Sequence, residues 1–174
     1  MAIDFITAFG RLLRDGNLRD LFALNPQHAA EQIQLRPVDH PAWLQLVPEE
    51  VEFQAGILLR KRLDLVKIFA PETSRRLGAK LWPAFYEYAR VSWPPDGSAR
   101  ISDAFHFYRH LKEKQPEAVV AMEWNRLAFV SSNRRAALHL VKIPASRRGP
   151  RRGLQFLIRG KDQIRREYVL YLGF

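Results

Sequence analysis

The stretch ALHLVKIPASRRGPRRGLQFLIRG, residues 137–160, decides the fold class that the sequence predicts. Two runs rich in Val, Ile, Leu and Phe flank a turn with four arginines, and a third run, EYVLYLG (167–173), follows after another basic turn. Such side chains favour β-strands. Because connections this short join antiparallel strands, we expect a three-stranded meander with GLQFLI in the centre. A sheet of about 40 residues cannot bury enough surface alone, so it should pack on the preceding helices.

Alternation along these runs assigns side chains to the two faces of the sheet. In the second run Leu154, Phe156 and Ile158 lie on one side, and the residues between them lie on the other. The third run, 168–172, has no polar side at all. An apolar strand is usually covered on both faces. Either the helices wrap this strand, or another chain completes the cover.

Residues 1–133 have helical rather than strand periodicity. The strongest pattern is VEFQAGILLRKRLDLVKIF (51–69), and the next helical segment contains Pro83, which we expect to kink or split it. SWPPDGS (92–98) is the clearest boundary. The sequence therefore predicts an α+β fold with about seven helices before the sheet. We expect a helical domain over 1–97, and two helices plus the three-stranded basic β-unit over 98–174.

Positive charge is concentrated in the last quarter of the chain. The net charge is +10, and residues 134–174 hold 11 Lys and Arg against 2 Asp and Glu, while residues 1–133 hold 17 against 16. Self-repulsion of this kind costs stability unless something acidic binds. The arginines predicted to bind a partner are Arg134, Arg135, Arg147, Arg148, Arg151, Arg152, Arg159, Arg165 and Arg166.

Two kinds of partner fit this charge. Nucleic acid would use the RRGPRRG turn (147–153) as a wing across phosphates. An acidic protein or peptide would instead pair with an exposed strand edge, and the arginines would set its register. Val169 and Tyr171 lie in the third run, which is an edge in a meander, and are the predicted edge contacts.

One helical segment carries a possible metal site. Asp103, His106 and His110 follow each other at i, i+3 and i+7 and share a helix face. The opposite face carries the expected core stripe, which consists of Ile101, Ala104, Phe105, Tyr108 and Leu111. We therefore expect the histidine face to point outward, and solvation or partner contact explains it better than metal binding.

Catalytic and targeting signals are missing from the sequence. It contains no HExxH, GxSxG, GxGxxG or P-loop motif and no cysteine. No stretch approaches the roughly 20 apolar residues of a membrane span, and the first residues do not form a secretory signal. We expect a cytoplasmic protein without its own cofactor that is not an enzyme by itself.

The segments LLRDGNLRDLFALNPQHAAEQIQL (12–35) and EFQAGILLRKRLDLVKIFAPETSRRLGAKLWPAFYEYAR (52–90) resemble a bacterial family. Its members are small partner proteins of TIM-barrel multinuclear iron oxygenases in clusters for ribosomal-peptide natural products, with the methanobactin-biosynthesis partner as the best-known type. The resemblance covers residues 5–111 and rests on the patterns LLRDGNLRDLF (12–22) and LLRKRLDLV (58–66).

The resemblance implies a division of labour. The oxygenase would hold the iron and perform the chemistry, so no iron ligands are expected in this chain. The partner would bind the oxygenase and capture the leader of the precursor peptide, often as an added strand. The arginine-rich turn would then be a docking surface for an acidic leader or for the oxygenase.

Overall fold

The computed structural model describes residues 2–94, 100–146, 149–160 and 165–172, and it confirms the α+β fold. Nine α-helices lie within these residues: α1 (Phe5–Arg14), α2 (Gly16–Leu24), α3 (Pro26–Gln32), α4 (His40–Leu44), α5 (Pro48–Lys67), α6 (Pro71–Leu77), α7 (Leu81–Ala89), α8 (Arg100–Lys114) and α9 (Ala121–Val130). Single 3-10 turns occupy Pro37–Asp39 and Gly78–Lys80. The sheet follows, with strands β1 (Ala136–Ser146), β2 (Gly149–Arg159) and β3 (Arg165–Leu172).

Two local features raise the helix count above the expected seven. The proline-containing connector before α5 forms the short helix α4. The helical segment after α5 breaks at Gly78, whose φ of 52° is in the left-handed region that favours glycine. Pro83 does not interrupt a helix, because it is the third residue of α7. In the first turn of a helix a backbone N–H has no acceptor within the helix, so a proline is tolerated there.

The chain forms two compact units, and the division is not a single cut near residue 97. Unit 1 comprises Met1–Leu65 and Ala79–Asp96, and unit 2 comprises Val66–Gly78 and Gly97–Phe174. The segment containing α6 thus belongs with the sheet rather than with the helices that flank it in the sequence.

Unit 1 is built around a fully buried tryptophan. Trp43 packs edge-to-face on Phe22, with ring centroids 5.1 Å apart. Its indole N–H donates to the Pro26 carbonyl at 2.9 Å, so the ring's polar atom is satisfied in the core. The start of α2 is joined to the end of α7, since the Gly16 N–H donates to the Arg90 carbonyl at 2.7 Å.

Unit 2 is held together by a buried carboxylate on α9. Glu123 accepts hydrogen bonds from the Glu72 N–H at 2.7 Å, the Thr73 N–H at 2.8 Å and the Thr73 hydroxyl at 2.7 Å. These donors lie in the first turn of α6, where a negative charge also complements the helix dipole. Nearby, Tyr108 hydrogen-bonds Ser74 at 2.9 Å, and its burial raises the pKa of the phenol to about 12.

The sheet is the antiparallel meander that the sequence predicts, in the order β1-β2-β3. The register pairs Ala136 with Ile158 and runs to Ile143 opposite Arg151 between β1 and β2, with an irregularity after Ile143. Between β2 and β3 it runs from Arg159 opposite Arg165 to Arg152 opposite Leu172. β2 is therefore paired on both sides, and β1 and β3 are the edges among the described strands.

Candidate functional site

The face of the sheet turned away from α9 carries two rows of large apolar side chains. The register places Leu138, Phe156 and Tyr168 directly opposite one another. The next row on the same face consists of Leu140, Leu154 and Leu170. Directly opposite residues share a face in an antiparallel sheet, so these six side chains form one surface, which we call the apolar face.

The apolar face is open to solvent in this chain. The exposed fractions are 60% for Leu138, 64% for Leu140, 48% for Tyr168 and 63% for Leu170. Phe156, on the central strand, is 36% exposed. A sheet face that meets only water normally alternates to polar residues, and an apolar patch of this kind marks an interaction surface. The helices leave this face of the third strand uncovered.

The helix-facing side holds a polar side chain where an apolar one is usual. Gln155 is fully buried and joins β2 to α9 and to β3. Its oxygen accepts from Asn125 Nδ2 at 3.0 Å. Its Nε2 donates to the Met122 carbonyl at 2.9 Å and to Glu167 Oε1 at 2.8 Å. Gln155 helps to orient the sheet, because α9 and β3 together satisfy its buried amide in this arrangement.

The structure places only part of the predicted arginine set. Arg134, Arg135, Arg152 and Arg166 are exposed, as a partner-binding role requires. Arg147 and Arg148 lie outside the described residues, and so do the side chains of Arg151 and Arg165, whose backbones belong to β2 and β3. The set is therefore not one cluster in the described part of the chain.

Arg159 has a structural environment that its inclusion in the predicted set did not anticipate. It is half-buried, and its guanidinium donates to the Ser132 carbonyl at 2.6 Å and lies over the Phe129 ring. These contacts fix the start of the sheet against the end of α9.

One basic residue that sequence reasoning missed lies opposite Arg152. Lys142 is exposed on β1 and is the direct cross-strand partner of Arg152. Like charges directly opposite one another destabilise a sheet, so an acidic group that binds between them would relieve the repulsion. The strand register, which the sequence does not state, is the signal that reveals this pair.

The predicted edge contacts lie on β3. Val169 is half-buried and Tyr171 is 64% exposed, and both lie on the side of the sheet that carries Gln155. β3 pairs with β2 alone among the described strands, so its other edge presents backbone groups for pairing with a further strand.

The candidate metal face points outward only in part. Asp103 is 3% exposed, while His106 is exposed and its Nδ1 lies 3.4 Å from the Ser102 hydroxyl. His110, the third candidate, is half-buried. The buried stripe of α8 also includes Phe107 in place of Phe105, so it is rotated from the predicted stripe. Among the described residues no group of three or more His, Asp or Glu is arranged to hold a metal ion.

Within the described part of the chain no helix is both long enough and apolar enough to span a bilayer.

Comparison with known proteins gives one match. Residues 45–113 match the family model described as SCO6045-like, C-terminal domain, which represents uncharacterised proteins. No curated protein and no solved structure matches the chain. The matched segment runs from before α5 to near the end of α8, so it overlaps the helices that carry the family resemblance and stops before the sheet.

Proposed function

We propose that this chain is a non-catalytic partner subunit that binds a TIM-barrel iron oxygenase and recruits a ribosomally made precursor peptide through its leader. The observation that carries the proposal is the apolar face of the sheet, which this chain leaves exposed. The matched segment between residues 45 and 113 is consistent with the partner-protein resemblance without specifying an activity.

The sheet offers different chemistry to two different occupants. The apolar face suits a folded partner, because burying side chains such as Leu140 and Leu170 gives affinity in proportion to the area removed from water. An outer edge suits an extended peptide, because backbone pairing does not depend on the side chains of the peptide. We assign the apolar face to the oxygenase and an edge to the leader.

The charge of this region favours an acidic peptide. The exposed pair Lys142 and Arg152 lies at one end of the sheet, and Arg166 lies at the other. Positive charge at both ends would attract an acidic segment and raise its association rate. A second copy of this chain would bring equal positive charge to the same surface and would be repelled.

The nucleic-acid alternative has weaker support. Its proposed wing contains Arg147 and Arg148, which lie outside the described residues. Phosphate binding also gives no role to the apolar face. Nucleic-acid binding therefore serves as an outcome of the test, recognised by affinity for unrelated duplexes that falls steeply with salt.

The test is co-purification with the TIM-barrel oxygenase encoded nearest to this chain, followed by titration of the purified pair. The double variant Leu140→Gln, Leu170→Gln removes two apolar contacts, each worth about 1–2 kcal/mol of the full burial energy, so it should weaken the complex by roughly 30-fold or more. Leu24→Gln is the matched control, since Leu24 is 85% exposed on α2.

Two results would contradict the proposal. The first is an oxygenase complex that the double variant and the control weaken equally. The second is a purified chain that holds stoichiometric iron and modifies a peptide without a partner.

A further inference from the structure

Unit 2 contains a partly open cavity of about 220 Å³ beside β3. Its apolar walls are Phe69, Ile101, Leu127, Phe129, Val130 and Leu157. Leu127, Phe129 and Leu157 are buried, so they form its floor, and the other three are half-buried. An apolar cavity of about 150 Å³ is enough to hold benzene, so this one has room for a leucine, isoleucine or phenylalanine side chain.

The remaining lining residues are charged, and one of them lacks a counter-ion. Arg126 Nε lies 2.7 Å from Glu167 Oε2, and the other oxygen of Glu167 accepts from Gln155. Both oxygens of Glu167 therefore have a partner, and its charge is balanced by Arg126. Arg166 is exposed and has no carboxylate partner among the described residues. Beside this apolar cavity, β3 therefore carries one unmatched positive charge, and the register places Arg166 on the apolar face of the sheet.

The strand register relates this cavity to the outer edge of β3. Glu167 lies opposite Leu157, on the side of the sheet that lines the cavity. In a strand added to β3, the residue opposite Glu167 would share that side, and its two neighbours would lie on the apolar face opposite Arg166 and Tyr168. The wall residues Phe69 and Ile101 lie outside the sheet, Ile101 on α8 and Phe69 just after α5.

We propose that the cavity is an anchor site for one large apolar side chain of an acidic peptide that pairs with β3, which makes β3 rather than β1 the receiving edge. This inference rests on the proposed peptide capture and names its register. The peptide carries Leu, Ile or Phe opposite Glu167, Asp or Glu opposite Arg166, and a further apolar residue opposite Tyr168. The acidic neighbour follows from the unmatched charge of Arg166, and the apolar one follows from the exposed Tyr168 side chain.

The experiment begins with selection of binders to the whole chain from a random peptide library. Enriched peptides should contain Leu, Ile or Phe next to Asp or Glu. The tightest enriched peptide is then the probe for affinity measurements. Alanine in place of its anchor residue should weaken binding about tenfold or more, since burial of such a side chain supplies that much affinity.

Variants of the chain locate the anchor. Val130→Trp fills the cavity and should lower the affinity for the probe peptide about as much as alanine at the anchor position of the peptide does. Because both changes remove the same contact, combining them should lower the affinity little more than either change alone. Arg166→Gln should lose severalfold affinity, and this exposed substitution leaves the core intact. Lys61→Gln is the control, because it removes one positive charge from an exposed position on α5 in unit 1 and should change affinity less than about twofold.

Hydrogen exchange identifies the edge, with amides of β3 slowed by the probe and amides of β1 unchanged. If peptides are enriched but the cavity and Arg166 variants bind them like the parent, the anchor is wrong and peptide capture stands. If no peptide is enriched, peptide capture itself is wrong. Protection of β1 instead of β3 would overturn the assignment of the edge.

Discussion

Replacing Gln155 with leucine should remove about 3 kcal/mol from the folding free energy of unit 2. The side chain is fully buried and makes hydrogen bonds at 2.8, 2.9 and 3.0 Å. Each is worth about 1 kcal/mol net. Leucine has a similar size, so the change creates little cavity and isolates the loss of hydrogen bonding.

The cost falls on partly buried groups that lose this hydrogen-bond partner. The Met122 carbonyl and the Asn125 amide each lose a hydrogen bond, and each unsatisfied group adds about 1–3 kcal/mol if it cannot reach water. Glu167 loses less, because Arg126 still lies against its other oxygen. The expected range is therefore about 2–5 kcal/mol, with about 3 kcal/mol as the central value.

Urea denaturation followed by circular dichroism measures the loss, and hydrogen exchange of the β2 amides assigns it to unit 2. A loss of 3 kcal/mol corresponds to a decrease in Tm of about 6–12 °C for a chain of this size. Gln54→Leu is the control, since Gln54 is exposed on α5 and its replacement should change stability by less than about 0.5 kcal/mol. A Gln155→Leu variant within about 1 kcal/mol of the control would refute the reasoning, because the network would then not hold the sheet on α9.

Three further predictions concern the packing of the two units. Glu123→Ala should destabilise unit 2 by about 3–5 kcal/mol, because three donors at the start of α6 lose a charged acceptor; unchanged hydrogen exchange in α6 would contradict this. Tyr108 has a folded-state pKa of about 12 against 10.0 unfolded, so its stabilisation is complete below pH 10 and is lost as the pH rises toward 12. Urea titrations at several pH values should show that the parent chain loses about 2–3 kcal/mol more unfolding free energy at alkaline pH than the Tyr108→Phe variant does. Parallel pH dependences of the two proteins would contradict the raised pKa. Gly16→Ala should destabilise unit 1 by roughly 1–3 kcal/mol, because a Cβ would lie 2.7 Å from the Arg90 carbonyl oxygen. Thermal denaturation measures the loss, and Gly56→Ala, whose Cβ meets nothing within 4 Å, is the control. Equal stability of the two variants would show that the close approach at Gly16 relaxes.

Much of the fold could be predicted because its signals are local. The β-rich runs and short basic turns specify a meander, and the observed order β1-β2-β3 confirms the prediction. The predicted site is less complete, because charge counting selects residues by type and takes no account of their surroundings. The guanidinium of Arg159 contacts the Ser132 carbonyl and the Phe129 ring, so this residue has a structural role. Lys142, which charge counting did not select, lies directly opposite Arg152.

The helix face of α8 and the break before α7 show where local reasoning ends. Asp103 was expected outside and is buried, because the helix rotates to place Phe107 in the core. Pro83 was expected to kink or split its helical segment, but Gly78 ends α6 first and leaves the proline in the first turn of α7, where it is tolerated.

The sequence by itself determined the two faces of the sheet, since alternation places Leu154 and Phe156 on one side of β2 and Gln155 and Leu157 on the other. Only the tertiary structure decided which face the helices cover. They cover the side with Gln155, because α9 supplies the Asn125 amide and the Met122 carbonyl that satisfy its amide in the core. The more apolar side is left exposed, because hydrophobic burial has no direction of its own, whereas a buried amide is stable only where its hydrogen-bond partners lie.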